Sequence, residues 1–216
     1  MTVSPAKTLR AEQTRALIVD TALHLFTENG YEATTMRAIA QKAGVATGNA
    51  YYYFASKDDL VGEFYALAVA SHVAASRLVL SGETGLTERL RGVLLALIDA
   101  QAPYRAFAVP LCARSDVPSP ARDSAMALYA SVVTGTRTRV PGSLRDRLPG
   151  MLWLYAQGVA RFWAHDTSPE FQRTRDLIDA TAPLAARLVR LARYPLLRGL
   201  SRDLIASADV VFSLES

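Results

Sequence analysis

The chain has 216 residues, of which 50% are hydrophobic and 20% are charged, and its formal net charge is +4. This composition allows a sizeable core and excludes an intrinsically disordered chain, and so small a positive charge does not by itself identify a nucleic-acid-binding protein. The single cysteine, Cys112, excludes a disulfide framework and a thiolate metal cage.

No apolar core of a signal peptide is present near the N-terminus. The longest uncharged runs, such as 124–136 and 148–160, are shorter than the ~20 residues that a membrane span needs. We therefore expect a cytoplasmic protein that does not associate with a membrane.

The first predicted helix covers residues 11–29, after a loose arm at 1–10. Its apolar residues recur at three- and four-residue steps between 18 and 26, which is the spacing of one helix face. Gly30 follows and suits the left-handed conformation that often ends a helix.

Two short helices come next. Thr34 and Thr35 are candidate N-caps for a second helix over 36–43, and Thr47 is the candidate N-cap of a third that reaches Phe54. A Gly-containing turn joins the second helix to the third, and this arrangement predicts a helix-turn-helix unit.

Ser56 and Asp59 form a capping box that predicts a fourth helix running to about Leu80. No convincing alternating strand pattern occurs, so the predicted fold is all-α, with a DNA-binding domain over 1–60 and a larger helical domain over 61–216. Further helices are predicted near 86–101, 103–113, 120–137, 143–165, 169–193 and 196–207.

Four aromatic residues in a row end the third helix, and they cannot all be buried because successive helical residues point ~100° apart. Phe54 is the natural inward ring, so the three tyrosines before it are predicted to face outward at least in part. Tyrosine hydroxyls can bind phosphate, and the first turn of the third helix is the part that enters the major groove. The candidate DNA-contacting residues are Thr47, Gly48, Asn49, Tyr51, Tyr52, Tyr53 and Lys57.

The segment "TTMRAIAQKAGVATGNAYYYFASKDDL" resembles the DNA-binding segment of TetR-type transcriptional regulators, and the resemblance extends over about residues 11–65. It implies that Tyr51, Tyr53 and Lys57 hold phosphates. It also implies that Thr34 and Thr35 lie near the DNA backbone and that Arg37 reaches a base edge, where Arg is the commonest specific reader of guanine.

The same resemblance implies that the helices over 143–165 and 169–193 pair with their mates in a homodimer. The segment 148–164 is apolar on more than one face, which favours burial on two sides. The helix over 169–193 has apolar residues at three- and four-residue steps, with charged residues elsewhere. The candidate interface residues are Leu152, Val159, Phe162, Ile178, Thr181, Leu184 and Leu188.

A small-molecule effector pocket in the larger domain is a further implication of the resemblance. Few of its candidate residues are polar, so a largely apolar effector is expected. The candidates are Phe64, Leu67, Tyr104, Phe107, Met126, Tyr129, Val133, Trp153, Tyr155, Gln157 and Trp163.

The resulting prediction is a repressor released from a palindromic double-stranded DNA operator by the effector. A ligand-responsive activator stays open as an alternative, because the sign of regulation depends on the operator's position. A non-specific DNA-binding protein is the weaker alternative, because residues 1–60 carry as many anions as cations. No histidine has a metal-spaced partner and no catalytic motif occurs, so we expect neither an enzyme nor a metal or cofactor.

Overall fold

A computed structural model of the chain describes residues 5–102, 105 and 119–192, and the elements in these ranges are helical. The all-α prediction is therefore confirmed. The helices are α1 (Pro5–Asn29), α2 (Met36–Lys42), α3 (Thr47–Tyr53), α4 (Lys57–Gly82), α5 (Leu86–Gln101), α6 (Ser119–Thr134), α7 (Gly142–Arg145), α8 (Leu148–His165) and α9 (Gln172–Leu191), with a 3-10 turn at Pro169–Phe171. The helices predicted at 103–113 and 196–207 lie outside the described residues.

Helix α1 begins at Pro5, so the predicted loose arm is wrong for residues 5–10. Proline suits a first helical position because the backbone N–H it lacks would have no partner there. Gly30 ends the helix with a φ of 82° and donates its N–H to the Phe26 carbonyl, as predicted.

Helix α3 begins at Thr47, the residue predicted to be its N-cap, and so starts one residue earlier than predicted. Ala46 is the N-cap, and its carbonyl accepts hydrogen bonds from the N–H groups of Asn49 and Ala50 at 2.9 and 3.1 Å. Thr47 is therefore the first helical residue and its hydroxyl caps nothing, which corrects the prediction.

Helix α4 joins the two hydrophobic cores of the protein. The predicted capping box is present, since Ser56 and Asp59 exchange side-chain-to-backbone hydrogen bonds of 3.1 and 3.2 Å. The buried residues of α4 from Leu60 to Ala68 pack into a core with α1, α2 and α3, and those from Val69 onward, together with the partly buried Tyr65, pack into a second core with α5, α6, α8 and α9.

By length and apolar composition alone, α4 could cross a membrane. The core helix of a globular protein passes the same test, and both ends of α4 pack within this fold. The prediction that no membrane is involved stays a prediction, as does the domain boundary at residue 60.

The segment 143–165 was predicted as one helix but is divided between α7 and α8. Pro149 stands at the second position of α8, and a proline there would clash with the preceding turn of a continuous helix. The next predicted helix also begins late, because Glu170 and Phe171 adopt left-handed φ values of 50° and 57° before α9 starts.

Candidate nucleic-acid interface

Helix α3 has one packed face and one open face. Ala50 and the adjoining Phe54 are buried among α1, α2 and α4. On the open face, Tyr51 is 51% exposed and Tyr52 is 82% exposed, although large aromatic rings are usually buried. The arrangement leaves two tyrosine rings available to a partner.

The first turn of α3 is open as well. Thr47, Gly48 and Asn49 are all exposed, and a Cβ added at Gly48 would meet nothing within 4 Å. The N-terminal end of α3 therefore leaves room for a partner to approach its backbone closely.

Tyr53 differs from its two neighbours. Its side chain is half-buried and packs against the core around α1 to α4. Its ring meets the Tyr52 ring edge to face, with centroids 5.3 Å apart. The Tyr53 ring thus packs against the Tyr52 ring, and only part of it is available to a ligand.

The two threonines before α2 have different roles. Thr35 is exposed and its hydroxyl accepts the Ala38 N–H at 3.1 Å, so Thr35 is the one of the two candidates that forms the N-cap. Thr34 is buried, and its hydroxyl contacts the Gly30 and Leu25 carbonyls at 2.8 and 3.2 Å. Thr34 is therefore not available to DNA, which corrects the prediction, because its hydroxyl is hydrogen-bonded inside the fold.

Two exposed cations, Arg37 and Lys42, lie on α2. Lys57 is placed differently, since its ammonium group donates to the Tyr31 carbonyl at 2.7 Å and lies 4.2 Å from the centre of the Tyr31 ring. The Tyr31 hydroxyl in turn donates to Asp58 at 2.5 Å. This group joins the turn between α1 and α2 to the start of α4.

Arg15 provides a second joint between α1 and α4. Its guanidinium forms an ion pair with Glu63 and lies 4.8 Å from the centre of the Phe54 ring. Sequence reasoning missed both Arg15 and Tyr31 as positioning residues, because their partners are distant in sequence and no local pattern links them.

The candidate pocket residues fall into several environments. Tyr129, Val133, Trp153 and Trp163 are buried in the second core, and Met126, Tyr155 and Gln157 are partly buried. Two candidates are corrected: Phe64 packs in the first core instead, and Leu67 is exposed on α4. Tyr104 and Phe107 lie outside the described residues.

The second core contains buried polar groups. Ser76 Oγ, Trp153 Nε1 and Trp163 Nε1 have no hydrogen-bond partner among the described residues. His72, on α4 one turn before Ser76, contacts the Val93 carbonyl at 2.9 Å, and burial lowers its pKa to about 4, so it is neutral at pH 7.

The candidate dimer residues divide between the core and the surface. The chain's own core buries Leu152, Val159 and Ile178, which corrects the prediction that they lie in a dimer interface. Thr181 is half-buried and shares a hydrogen bond with Tyr155. The exposed apolar residues, which we call the outer face of α8 and α9, are Phe162, Leu184, Leu188 and Leu191.

An open cavity of about 440 Å³ adjoins this outer face. Its lining combines Phe162 with the basic residues Arg161, His165 and Arg173. The acidic group in the lining, Asp166, accepts hydrogen bonds from Ser168 and Thr174 at 2.6–2.9 Å. These hydrogen bonds hold the Asp166 pKa below its usual range in spite of burial.

Two family models match the chain. Residues 18–64 match the model described as bacterial regulatory proteins, tetR family, and residues 89–203 match the model of the tetracyclin repressor-like C-terminal domain. The second match alone covers more than half of the chain. The chain belongs to the tetR family of bacterial regulatory proteins. Members of this family are transcriptional regulators, not enzymes.

Curated relatives match only part of the chain. The HTH-type transcriptional repressor KstR2 of Mycobacterium tuberculosis is 33% identical over 95 residues, which is 44% of this chain and 48% of KstR2. The regulator AcrR of Shigella flexneri is 41% identical over 58 residues, 27% of each chain. The matched part thus spans about half the length of KstR2 and less of AcrR.

Solved structures of the family share the fold over most of the chain. FadR of Bacillus subtilis in complex with stearoyl-CoA has a TM-score of 0.60 at 15% identity, covering 77% of this chain and 96% of FadR. FadR of Thermus thermophilus in complex with lauroyl-CoA has a TM-score of 0.57 at 22% identity, covering 84% and 98%. At such identities the likeness extends to the fold alone.

Proposed function

We propose that this protein is a site-specific transcriptional repressor that binds double-stranded DNA through α2 and α3. The observation that carries the proposal is the open face of α3, where Thr47, Gly48, Asn49, Tyr51 and Tyr52 point outward from a packed helix-turn-helix unit. The first turn of α3 enters the major groove, and the tyrosine hydroxyls bind phosphates beside it.

Base reading comes from short polar and cationic groups. Asn49 presents an amide that suits adenine, and Arg37 presents a guanidinium that suits guanine. Lys57 and the N-terminal turn of α2, capped by Thr35, lie against the DNA backbone. Equal numbers of anions and cations in residues 1–60 favour a site-specific reader over a non-specific DNA-binding protein.

A homodimer is the functional unit in this proposal. The outer face of α8 and α9 supports it, because exposed leucine and phenylalanine side chains on neighbouring helices are what a self-complementary interface covers. Two reading helices related by a two-fold axis require a near-palindromic operator with half-sites at least one DNA turn (~34 Å) apart. The protein acts in the cytoplasm.

The effector is a small ligand with a large apolar part and a few hydrogen-bond acceptors. The buried indole rings of Trp153 and Trp163 support the apolar part, and their N–H groups, which have no hydrogen-bond partner among the described residues, support the acceptors. Fatty acyl-CoA esters are the first candidates, because two structures of the same fold hold stearoyl-CoA and lauroyl-CoA. The effector binds best to a conformer in which α4 has moved, and it thereby releases DNA.

Activation by the same protein is the second candidate function, since an operator placed upstream of a promoter would reverse the sign. Selection of duplexes from a random pool tests DNA reading without knowledge of the target genes. We expect enriched sequences with two-fold symmetry, and release of the selected duplex by an acyl-CoA ester. Failure to enrich any sequence would contradict the proposal, and release by no acyl-CoA would contradict only the effector class.

A further inference from the structure

Arg89, in the first turns of α5, is 4% exposed, although arginine is almost never fully buried unless it is paired. Its guanidinium donates to four backbone carbonyls. Two belong to the end of α4, at Leu80 (2.8 Å) and Glu83 (2.6 Å), and two belong to the last turn of α6, at Ser131 (2.7 Å) and Val132 (3.2 Å). No ion pair joins Arg89 to a carboxylate in the part of the chain that the structure describes.

These carbonyls explain how a buried cation is tolerated. The last carbonyls of a helix lack donors within the helix and carry the negative end of its dipole, so two helix ends together suit a guanidinium. Arginine stays charged at pH 7 even though burial lowers its pKa. Arg89 is thus a cap shared by two helices.

The neighbouring turns are built around the same contact. A Cβ added at Gly135 would lie 2.7 Å from Arg89 Cζ and closer still to Nη2, so glycine leaves the space that the guanidinium occupies. The Thr84 carbonyl, in the turn after α4, accepts hydrogen bonds from the Arg137 N–H and the Thr136 hydroxyl at 2.9 and 3.1 Å. The C-terminal end of α4 is therefore fixed to the end of α6.

The opposite end of α4 carries the DNA-binding helices through their shared core and through the contacts made by Lys57 and Arg15. At 26 residues α4 is about 39 Å long. A tilt of ~5° about its C-terminal end would move its N-terminal end by about 3 Å, close to the rise of one base pair.

We propose that Arg89 is a positioning residue for operator binding, which fixes the direction of α4 and thereby the separation of the two reading helices in the dimer. This inference rests on the proposed function. An effector that moves α4 then has either to break the hydrogen bonds of Arg89 or to rotate α4 about them.

The first experiment measures the direction of α4 without DNA. Spin labels are placed at Gln41→Cys on α2 and Asp123→Cys on α6, both exposed positions, in a Cys112→Ser background. Labelled chains are diluted with an excess of unlabelled ones so that only distances within a chain are recorded. We expect Arg89→Met to broaden or shift this distance distribution by about 3 Å, the displacement that a small tilt of α4 gives.

Arg91→Met is the matched control, because Arg91 lies two residues further on the same helix and its exposed side chain pairs with Asp179 on α9. It removes a cation and an inter-helix contact without touching α4, so the distance distribution should not change. If the methionine variant does not fold, Arg89→Lys replaces it: lysine keeps the charge but loses the planar fork that reaches carbonyls of both helices, so it should shift or broaden the distance distribution in the same way but by less.

The second experiment measures operator spacing on the duplex selected with the wild-type protein. The ratio of Kd values for duplexes with one added base pair and with native spacing reports how firmly the two reading helices are held apart. We expect this ratio to fall about tenfold in Arg89→Met and to stay unchanged in Arg91→Met. A general loss of stability would lower both affinities and leave the ratio as it is.

Gly135→Ala provides an independent route to the same contact. Its added methyl group should displace the guanidinium and reproduce the loss of spacing discrimination in the wild-type background, but have little effect in Arg89→Met. Gly82→Ala, at the end of α4 with nothing within 4 Å of the new Cβ, is the control.

Unchanged distances and an unchanged spacing ratio in a folded Arg89→Met protein would overturn the inference, leaving Arg89 as a structural cap. If the wild-type protein selects no duplex, the proposed function fails while the distance measurement still tests the anchor.

Discussion

Lys57 shows how one side chain can serve both the fold and the site. Its ammonium group has several N–H donors, and one of them is used at the Tyr31 carbonyl, 2.7 Å away. The remaining donors are left for the phosphate that we propose Lys57 binds. Arg37, by contrast, is an exposed residue on α2 that no described hydrogen bond or ion pair ties to the fold.

We therefore expect Lys57→Met to lower the free energy of unfolding by about 1 kcal/mol and also to reduce the salt dependence of DNA binding by about one counterion. Arg37→Met should weaken DNA binding but change the free energy of unfolding by less than about 0.5 kcal/mol. Urea unfolding and DNA titrations at several salt concentrations measure both quantities. An unchanged salt slope in Lys57→Met would make Lys57 purely structural.

For single residues, the sequence predicted which residues form the candidate site better than it predicted which way their side chains point. The tyrosine run indicated that some rings face outward, and Tyr51 and Tyr52 do. Thr34 and Thr35 could not be distinguished in sequence, because either could cap a helix that begins nearby. The packing of Thr34 against the end of α1 decides between them, and that contact depends on the folded turn.

The elements of the helix-turn-helix unit differ in how their N-termini are closed. Helix α2 has a side-chain cap from Thr35, whereas α3 begins after Ala46 with only a backbone cap. Packing stabilises both helices, through Met36, Ile39 and Ala40 on α2 and through Ala50 and Phe54 at α3, and α2 has a side-chain cap in addition.

Thr35→Ala should lower the free energy of unfolding by about 1 kcal/mol, because the Ala38 N–H loses its acceptor. Thr47→Ala is the matched control and should leave stability nearly unchanged while weakening binding to the selected duplex. Thermal or urea denaturation of both variants makes the comparison. A larger loss of stability in Thr47→Ala than in Thr35→Ala would contradict the assignment of the caps.

Helix ends marked by glycine or a capping box were predictable, as Gly30 and the Ser56–Asp59 pair illustrate. The break before α8 was not predicted. Pro149 is visible in the sequence, but a proline can stand either at a helix start or beyond a helix end. The start of α9 was misjudged because two non-glycine residues adopt left-handed backbone angles there.

In the whole molecule, the placement of apolar stripes decides what is available for assembly. Helix α8 has more than one apolar stripe, and its sequence alone does not indicate which stripe faces the chain's own core. Folding buries Leu152 and Val159 and leaves Phe162 exposed, as it does Leu184 and Leu188 on α9. The outer face could be identified only once the neighbouring helices were in place.

If this face forms the dimer, Leu188→Glu should weaken dimerisation about a hundredfold, because two-fold symmetry counts each substitution twice. Binding to a two-half-site duplex should weaken in parallel. Leu78→Glu, at an 82% exposed leucine on α4, is the control and should remain a dimer. Sedimentation velocity over a concentration series measures the dissociation constant. Equal behaviour of the two variants would place the interface elsewhere.

The proposed function requires that this chain recognise specific DNA sites. The decisive measurement is a DNase footprint of the purified protein on the DNA upstream of its own gene, at two salt concentrations. We predict a short protected patch with two-fold symmetry that survives the higher salt, because base contacts hold the protein there after phosphate contacts weaken. Diffuse protection that disappears at the higher salt would contradict the account, since phosphate attraction alone would then explain the binding.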